Sequence, residues 1–390
     1  MKKLATVRTI ASFTDMEGYD NVYMAHIDGW QAIVRKEDFN TPGEKVIFIE
    51  PGAQLPETEE YKFLEKRKYR IKTMKMRGNL SQGLVLKYTG TEPEGTDLTE
   101  KMGIIDFTEQ DDAKGFNPNS VRKPKGIVGW LMKYSATRWL GKLFLPKKVS
   151  GKFPEWIQKT DEERIQNCPK VLNIESADWY GTEKVDGQSG TWAVRKEKGW
   201  FGRTKYDEIV CSRNFRLNAA GDSGKSQIEL NKKLKITEQL KHWLQEHPEE
   251  DWIVLQGECI GPKIQGNPYK VKDFELYLFN IITSRLGKLA PGAAKQLTYE
   301  MTLSCNFQDY TQYTLKWVPD VFHVSGKLSD KTATCFTDVN QALEYASGFS
   351  DLNRDTLREG IVVRSYEKGI SFKIVSPEYL IKKGEYACRQ

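Results

Sequence analysis

The most reactive residue types in this 390-residue chain are lysines and acids set at wide intervals. Lys184 and Asp186 stand in Thr182-Glu183-Lys184-Val185-Asp186-Gly187. Glu258 closes Leu255-Gln256-Gly257-Glu258, well downstream of Lys184. Glu359 follows after a longer interval, in Arg358-Glu359-Gly360-Ile361-Val362-Val363, and Lys373 comes shortly after it, in Ser371-Phe372-Lys373. An amine is a nucleophile only after losing its proton, and nearby positive charge depresses its pKa. Carboxylates suit hard divalent cations held through oxygen and water. Each segment alone reads as a charged turn or surface charge. Ser212-Arg213-Asn214 and Phe274-Glu275-Leu276-Tyr277-Leu278-Phe279-Asn280-Ile281 fall between them, and the six together, in this order, carry the signal.

In order, the six segments resemble motifs I, Ia, III, IIIa, IV and V of the covalent nucleotidyltransferases, the superfamily of polynucleotide ligases and mRNA capping enzymes. The resemblance implies that the Lys184 amine attacks the α-phosphate of a nucleoside triphosphate, forming a lysyl phosphoramidate and releasing pyrophosphate. Lys373 is then the second catalytic lysine, placed at the α-phosphate. Asp186, Glu258 and Glu359 are implied as the carboxylates around hydrated Mg²⁺ or Mn²⁺. For the nucleoside, the resemblance places Phe279 on one face of the base, Val362 on the other, Arg213 at the ribose and Glu183 at the base edge. Phe279 and Val362 would otherwise pass as core residues. A bound cation and Lys373 are expected to lower the pKa of Lys184.

Over its whole length the chain resembles RNA ligases of the Deinococcus nick-sealing type, which carry an oligonucleotide-binding (OB) domain before the ligase domain. The stretch Phe153 to Asn167 is similar to the lead-in to motif I in that group, and Ser212-Arg213-Asn214 matches its motif Ia. With 390 as the last residue, no C-terminal OB domain of the DNA ligase and capping-enzyme kind is expected after Lys373. The resemblance implies ATP as cofactor and three steps: AMP is loaded on Lys184, moved to a 5′-phosphate, then displaced by a 3′-hydroxyl. The expected substrate is a nicked duplex with RNA at the 3′-hydroxyl end, and the expected role is RNA repair by a cytoplasmic monomer. The alternatives are a GTP-using capping-type guanylyltransferase, a DNA ligase, or an inactive nucleic-acid-binding relative. Many ligases carry another lysine two residues after the first in motif V; Val375 stands there, and Lys382 and Lys383 are candidates to replace it.

Elements able to position these residues follow from patterning. Val22–His26, Gln31–Val34, Val46–Ile49 and Leu84–Leu86 are β-rich runs separated by Gly and Pro turns, as in a small barrel or sandwich. Further strands are expected around Trp192–Val194, Ile209–Cys211, Trp252–Leu255, Leu276–Phe279, Gly360–Val363 and Ile370–Lys373. Ile228 to Trp243 carries a helical period stopped by His247-Pro248. The fold class is α+β. An OB-like barrel is expected over 1–100 and a basic connector with an amphipathic helix over 101–165. An ATP-grasp-like nucleotidyltransferase domain of antiparallel sheets with flanking helices is expected over 166–390.

Composition narrows the partner. Net charge is +6, yet Ala113 to Pro154 holds ten Lys and Arg and no acid, leaving the remainder at −4. A basic block in a near-neutral chain suits nucleic acid. Six scattered cysteines and four histidines show no disulfide framework or zinc spacing. No apolar run is long enough to span a membrane, and no signal peptide is expected. Ala219 to Ser226 matches a loose P-loop, but the polar residues before it do not make the buried strand a P-loop follows.

Overall fold

The computed structural model describes residues 2–76, 78–107, 151–199, 203–218, 225–330 and 336–387. Most of the basic block, its expected helix over 127–145 and most of the P-loop-like segment lie outside the described residues.

Among its described residues the N-terminal unit is β-structured apart from the 3₁₀ helix Glu59–Arg67. Ala5–Thr9, Lys45–Ile49 and Leu84–Lys87 form one antiparallel sheet; Ser12–Met16, Tyr19–Ile27 and Trp30–Arg35 form a meander beside it. Trp30 and Phe48 meet across the two sheets, ring centroids 5.2 Å apart, in a core with Ile10, Ile27 and Val46.

Two larger sheets follow. The first has eight strands, led by Gln188–Lys198, Thr204–Ser212, Trp252–Ile260 and Glu275–Thr283. Helices Ser226–Leu234, Ile236–Glu246 and Pro291–Ser304 cover one face, burying Trp192, Leu240, Leu244, Leu255 and Leu278. Each such side chain contributes roughly 1.5–3 kcal/mol on burial. The second sheet orders Glu163–Arg164, Ile370–Val375, Gly360–Ser365, Asp178–Glu183 and Asp320–Ser325. Helix Val339–Ala346 packs on it through Val339, Ala342, Leu343 and Ala346, with Trp179 and Phe372 beneath. Residues 151–167 join these sheets directly: Gly151–Lys152 pairs with Phe215–Arg216, Ile157 is buried against Ala193 and Val254, and Glu163–Arg164 runs parallel to Ile370–Val375.

The helical period over 228–243 is broken into two helices. Lys235 adopts φ +49°, ψ +41°, and Asn231 Oδ1 accepts from the Thr237 amide at 3.0 Å, restarting the chain after the break. The apolar spacing is nearly continuous across the join, so periodicity alone conceals it. No helix among the described residues is long and apolar enough to cross a membrane.

The N-terminal unit docks on residues 164–167. Trp30 Nε1 donates to Asn167 Oδ1 (2.6 Å), and Asn167 Nδ2 donates to Glu50 Oε1 (2.7 Å). The Gly29 amide donates to the Gln166 carbonyl (3.0 Å); a Cβ at Gly29 would meet Gln166 Cα at 2.7 Å, so only glycine admits this approach.

Candidate active site

The chain crosses from the second sheet to the first within Lys184–Gly187, between strands Asp178–Glu183 and Gln188–Lys198. This short crossing puts Lys184 and Asp186 at the junction of the two sheets. The Lys184 amide donates to the Gly360 carbonyl (2.9 Å) and the Asp186 amide to the Tyr269 hydroxyl (2.7 Å), fixing the loop at both ends. Gly187 passes against strand Trp252–Ile260: a Cβ there would meet the Cys259 carbonyl oxygen at 2.3 Å and Glu258 Cγ at 2.9 Å. Any side chain at 187 would displace Glu258.

Lys184 Nζ lies 2.7 Å from Glu359 Oε2, and the charges of Glu258 and Asp186 also act on it. Burial pulls its pKa down, but the three carboxylates outweigh burial and hold the ammonium above its ordinary value. The expected lowering of this pKa belongs to a bound cation, whose charge would oppose the acids that hold the ammonium. Burial pushes Glu258 up to about 8, with repulsion from Glu359 and Asp186 adding to it against the pull of Lys184. Asp186 is raised by burial and by Glu359.

Among the described residues no three His, Cys, Asp or Glu side chains converge closely enough to ligate one metal ion directly. Glu258 and Asp186, pushed up by burial and by neighbouring carboxylates, suit a hydrated cation, bound through water, that would relieve that repulsion.

Lys373 stands opposite Val362 in the second sheet, 3.5 Å from Asp161 Oδ1. Burial, with Lys2, Arg164 and Lys184 nearby, lowers its pKa to about 8, although Asp161 opposes the shift. Arg213, after strand Thr204–Ser212, comes within 3.8 Å of the same Asp161 oxygen. Asp161 thus links two of the expected residues. On strand Gly360–Ser365, Ile361 and Val363 enter the core, so Val362 and Arg364 share the other face. Arg364 donates to Glu162 (2.9 Å) and lies 5.7 Å from the Phe279 ring centroid, so Phe279, from the first sheet, faces this strand through it.

Glu183 is buried, its side chain bound by the Ser350 hydroxyl and the Asp351 amide (2.9 Å). Sequence reasoning passes over Asp161, Tyr269 and Tyr379. Asp161 contacts Lys373, and the two tyrosines contact Asp186, each across a long stretch of chain that no local pattern marks.

A family model described as RNA ligase matches residues 177–375, and one described as an OB-fold domain matches 4–88. Solved structures of a Naegleria gruberi RNA ligase align along nearly the whole chain. With pyrophosphate, that ligase superposes at TM-score 0.74 and 27% identity, covering 99% of this chain and 100% of that one. A glutamate-to-alanine mutant with AMP and Mn gives 0.73 and 27%, covering 98% and 99%. A lysine-to-alanine mutant with ATP and Mn gives 0.73 and 27%, covering 98% of each. No curated protein matches. The RNA ligase model spans just over half of the chain, and an OB-fold domain precedes the nucleotidyltransferase domain. The chain is a polynucleotide ligase belonging to the RNA ligase family.

Proposed function

We propose that this protein is an ATP-dependent RNA ligase that seals 3′-hydroxyl/5′-phosphate nicks through a lysyl-AMP intermediate on Lys184. The observation that carries the reading is the Lys184 amine at the junction of two sheets, among Glu359, Glu258 and Asp186. In the first step the amine nitrogen bonds to the α-phosphorus of ATP, the bond to the bridging oxygen breaks, pyrophosphate leaves and the amine loses a proton. An oxygen of the RNA 5′-phosphate next takes the adenylyl group, breaking the P–N bond, and Lys184 recovers a proton. The 3′-hydroxyl then attacks the activated 5′-phosphorus, a new phosphodiester forms and AMP leaves.

Asp186, Glu258 and Glu359 would hold hydrated Mg²⁺ or Mn²⁺, which when bound supplies positive charge beside the amine and the phosphates. Lys373 offsets charge developing on the α-phosphate. Arg213 is assigned to the ribose, Phe279 and Val362 to the faces of the base, and Glu183, anchored by Ser350 and Asp351, to the base edge. The OB domain and the basic block grip the duplex backbone, and an RNA 3′ end is told from DNA by its 2′-hydroxyl. Domain limits of 1–100, 101–165 and 166–390, the nick-sealing subtype, a monomeric state and a cytoplasmic role in RNA repair belong to the same reading. The test offers α-labelled ATP or GTP with Mn²⁺, then nicked duplexes with RNA or DNA at the 3′-hydroxyl end. Label from ATP alone and sealing only with RNA at that end support it. Label from GTP, or preference for a DNA end, overturns it.

A further inference from the structure

The strand that carries Lys373 brings one cation to the face it shares with Val362. The next residue on that face is Val375, buried and apolar, opposite Gly360. The chain then turns into helix Pro377–Ala387. Ser376 starts it: its carbonyl accepts from the Leu380 amide (3.1 Å), its hydroxyl accepts from the Tyr379 amide (3.2 Å), and its own amide donates to the Glu359 carbonyl (2.9 Å). The start of the helix is thereby tied to the residue that pairs with Lys184.

Tyr379 and Lys383, four residues apart, lie on one face of this helix. Both reach Asp186. The Tyr379 hydroxyl donates to Oδ2, and Lys383 Nζ lies 3.3 Å from Oδ1. Lys383 Nζ also donates to Tyr379 Oη (2.9 Å) and Gln265 Oε1 (3.4 Å). Lys382, exposed, makes none of these contacts. Asp186 is two residues from the amine that would carry the adenylyl group, and its charge acts on that amine.

We propose that Lys383, braced by Tyr379 on Asp186, is a positioning cation of the adenylyl-transfer site, delivered by the C-terminal helix to the phosphate that is loaded on and off Lys184. The inference rests on the lysyl-AMP reading. Negative charge gathers on the non-bridging oxygens each time the phosphorus is attacked, both when Lys184 takes AMP and when RNA removes it. A lysine with three rotatable donors, half exposed beside Asp186, can exchange an acceptor for such an oxygen without moving the helix.

The experiment uses the full chain and measures two single-turnover rates: label transfer from α-labelled ATP to protein, and discharge of the preformed adduct to 5′-phosphate RNA in a nick. Lys383→Met is expected to slow both about 10- to 100-fold without lowering Tm. Lys383→Arg should restore most of each rate, Lys382→Met should leave both unchanged, and Tyr379→Phe should give a smaller loss. Should Lys383→Met fail to fold, Lys383→Gln removes the charge with less loss of polarity and carries the same comparison. Rates at the parent level in Lys383→Met or Lys383→Gln overturn the proposal, as does Lys383→Arg no better than either. If the parent protein takes no label, the lysyl-AMP reading falls and this inference with it. If the parent labels normally and the neutral variants keep pace, this inference alone falls.

Discussion

The Lys184 ammonium is held 2.7 Å from Glu359, so the proposed nucleophile is paired with an acid proposed to hold the cation. On the proposed reading, one contact bears on both the charge of the amine and the cation that would change it. Glu359→Gln should move two readouts in opposite directions. Without metal, removing the carboxylate lowers the Lys184 pKa, and labelling of Lys184 by an amine-directed acylating reagent should speed up. With limiting Mn²⁺, adenylylation should slow about 10- to 100-fold. If both rates fall together, the pairing does not govern the amine.

Lys184→Ala should form no adduct with labelled ATP and seal no 5′-phosphate nick, yet should join RNA that already carries a 5′-adenylyl group. Lys184 is the nucleophile only in the first step, and the last step takes place on RNA. Gel analysis of the two substrates side by side checks this, and full labelling of the variant would remove Lys184 from the chemistry.

Glu258 supplies a pH test of stability. Burial raises its carboxyl to about 8, so between the ordinary carboxylate range and about pH 8 the folded protein keeps a proton that the unfolded chain has released. Stability is therefore lost as pH rises through that window. Glu258→Gln removes the loss. In chelator, its Tm advantage over the parent should be near zero at about pH 4.5 and largest above about pH 8, at roughly 2–4 °C per kcal/mol. Added Mn²⁺ should then stabilise the parent more than the variant. A Tm difference that does not vary with pH would contradict the raised carboxyl.

Gly29→Leu tests what the OB domain does. Its Cβ would strike the Gln166 backbone and loosen the docking of Trp30 and Glu50 on Asn167. Adduct formation should survive, while nick sealing falls several-fold. A variant beginning at Gly151 should go further, binding duplex more weakly and with a shallower salt dependence, by about one unit of log–log slope for each phosphate no longer gripped. Equal loss of adduct and sealing in both variants would make the front unit a support for folding, not a grip on the substrate.

Much of the site is legible in the sequence because its residues sit in short motifs whose order survives in one dimension. Lys184 and Asp186 lie in one loop, Glu258 on a strand that opens with an apolar run, Glu359 just before a hairpin pair and Lys373 inside its second strand. The main strands of the first sheet and the hairpin pair of the second are visible for the same local reason, whereas Asp178–Glu183 and Asp320–Ser325 are not among the expected strands. Contacts made only by folding are not legible. Asp161 reaches Lys373 from ahead of the 166–390 domain, and Tyr379 on the last helix reaches back to Asp186. The charge state of Lys184 escapes the motif, which names its neighbours without their distances; with Glu359 at 2.7 Å, attraction outweighs burial. The break at Lys235 escapes periodicity because an αL lysine leaves no mark on an apolar repeat.

The most direct test of the account is to incubate the full-length protein with ATP and Mn²⁺, digest it, and map the modified residue by mass spectrometry. One adenylyl group is expected on the peptide containing Lys184, attached through an acid-labile P–N bond and lost on adding pyrophosphate. An adenylyl group on any other residue, or none with ATP while GTP modifies the chain, would contradict it.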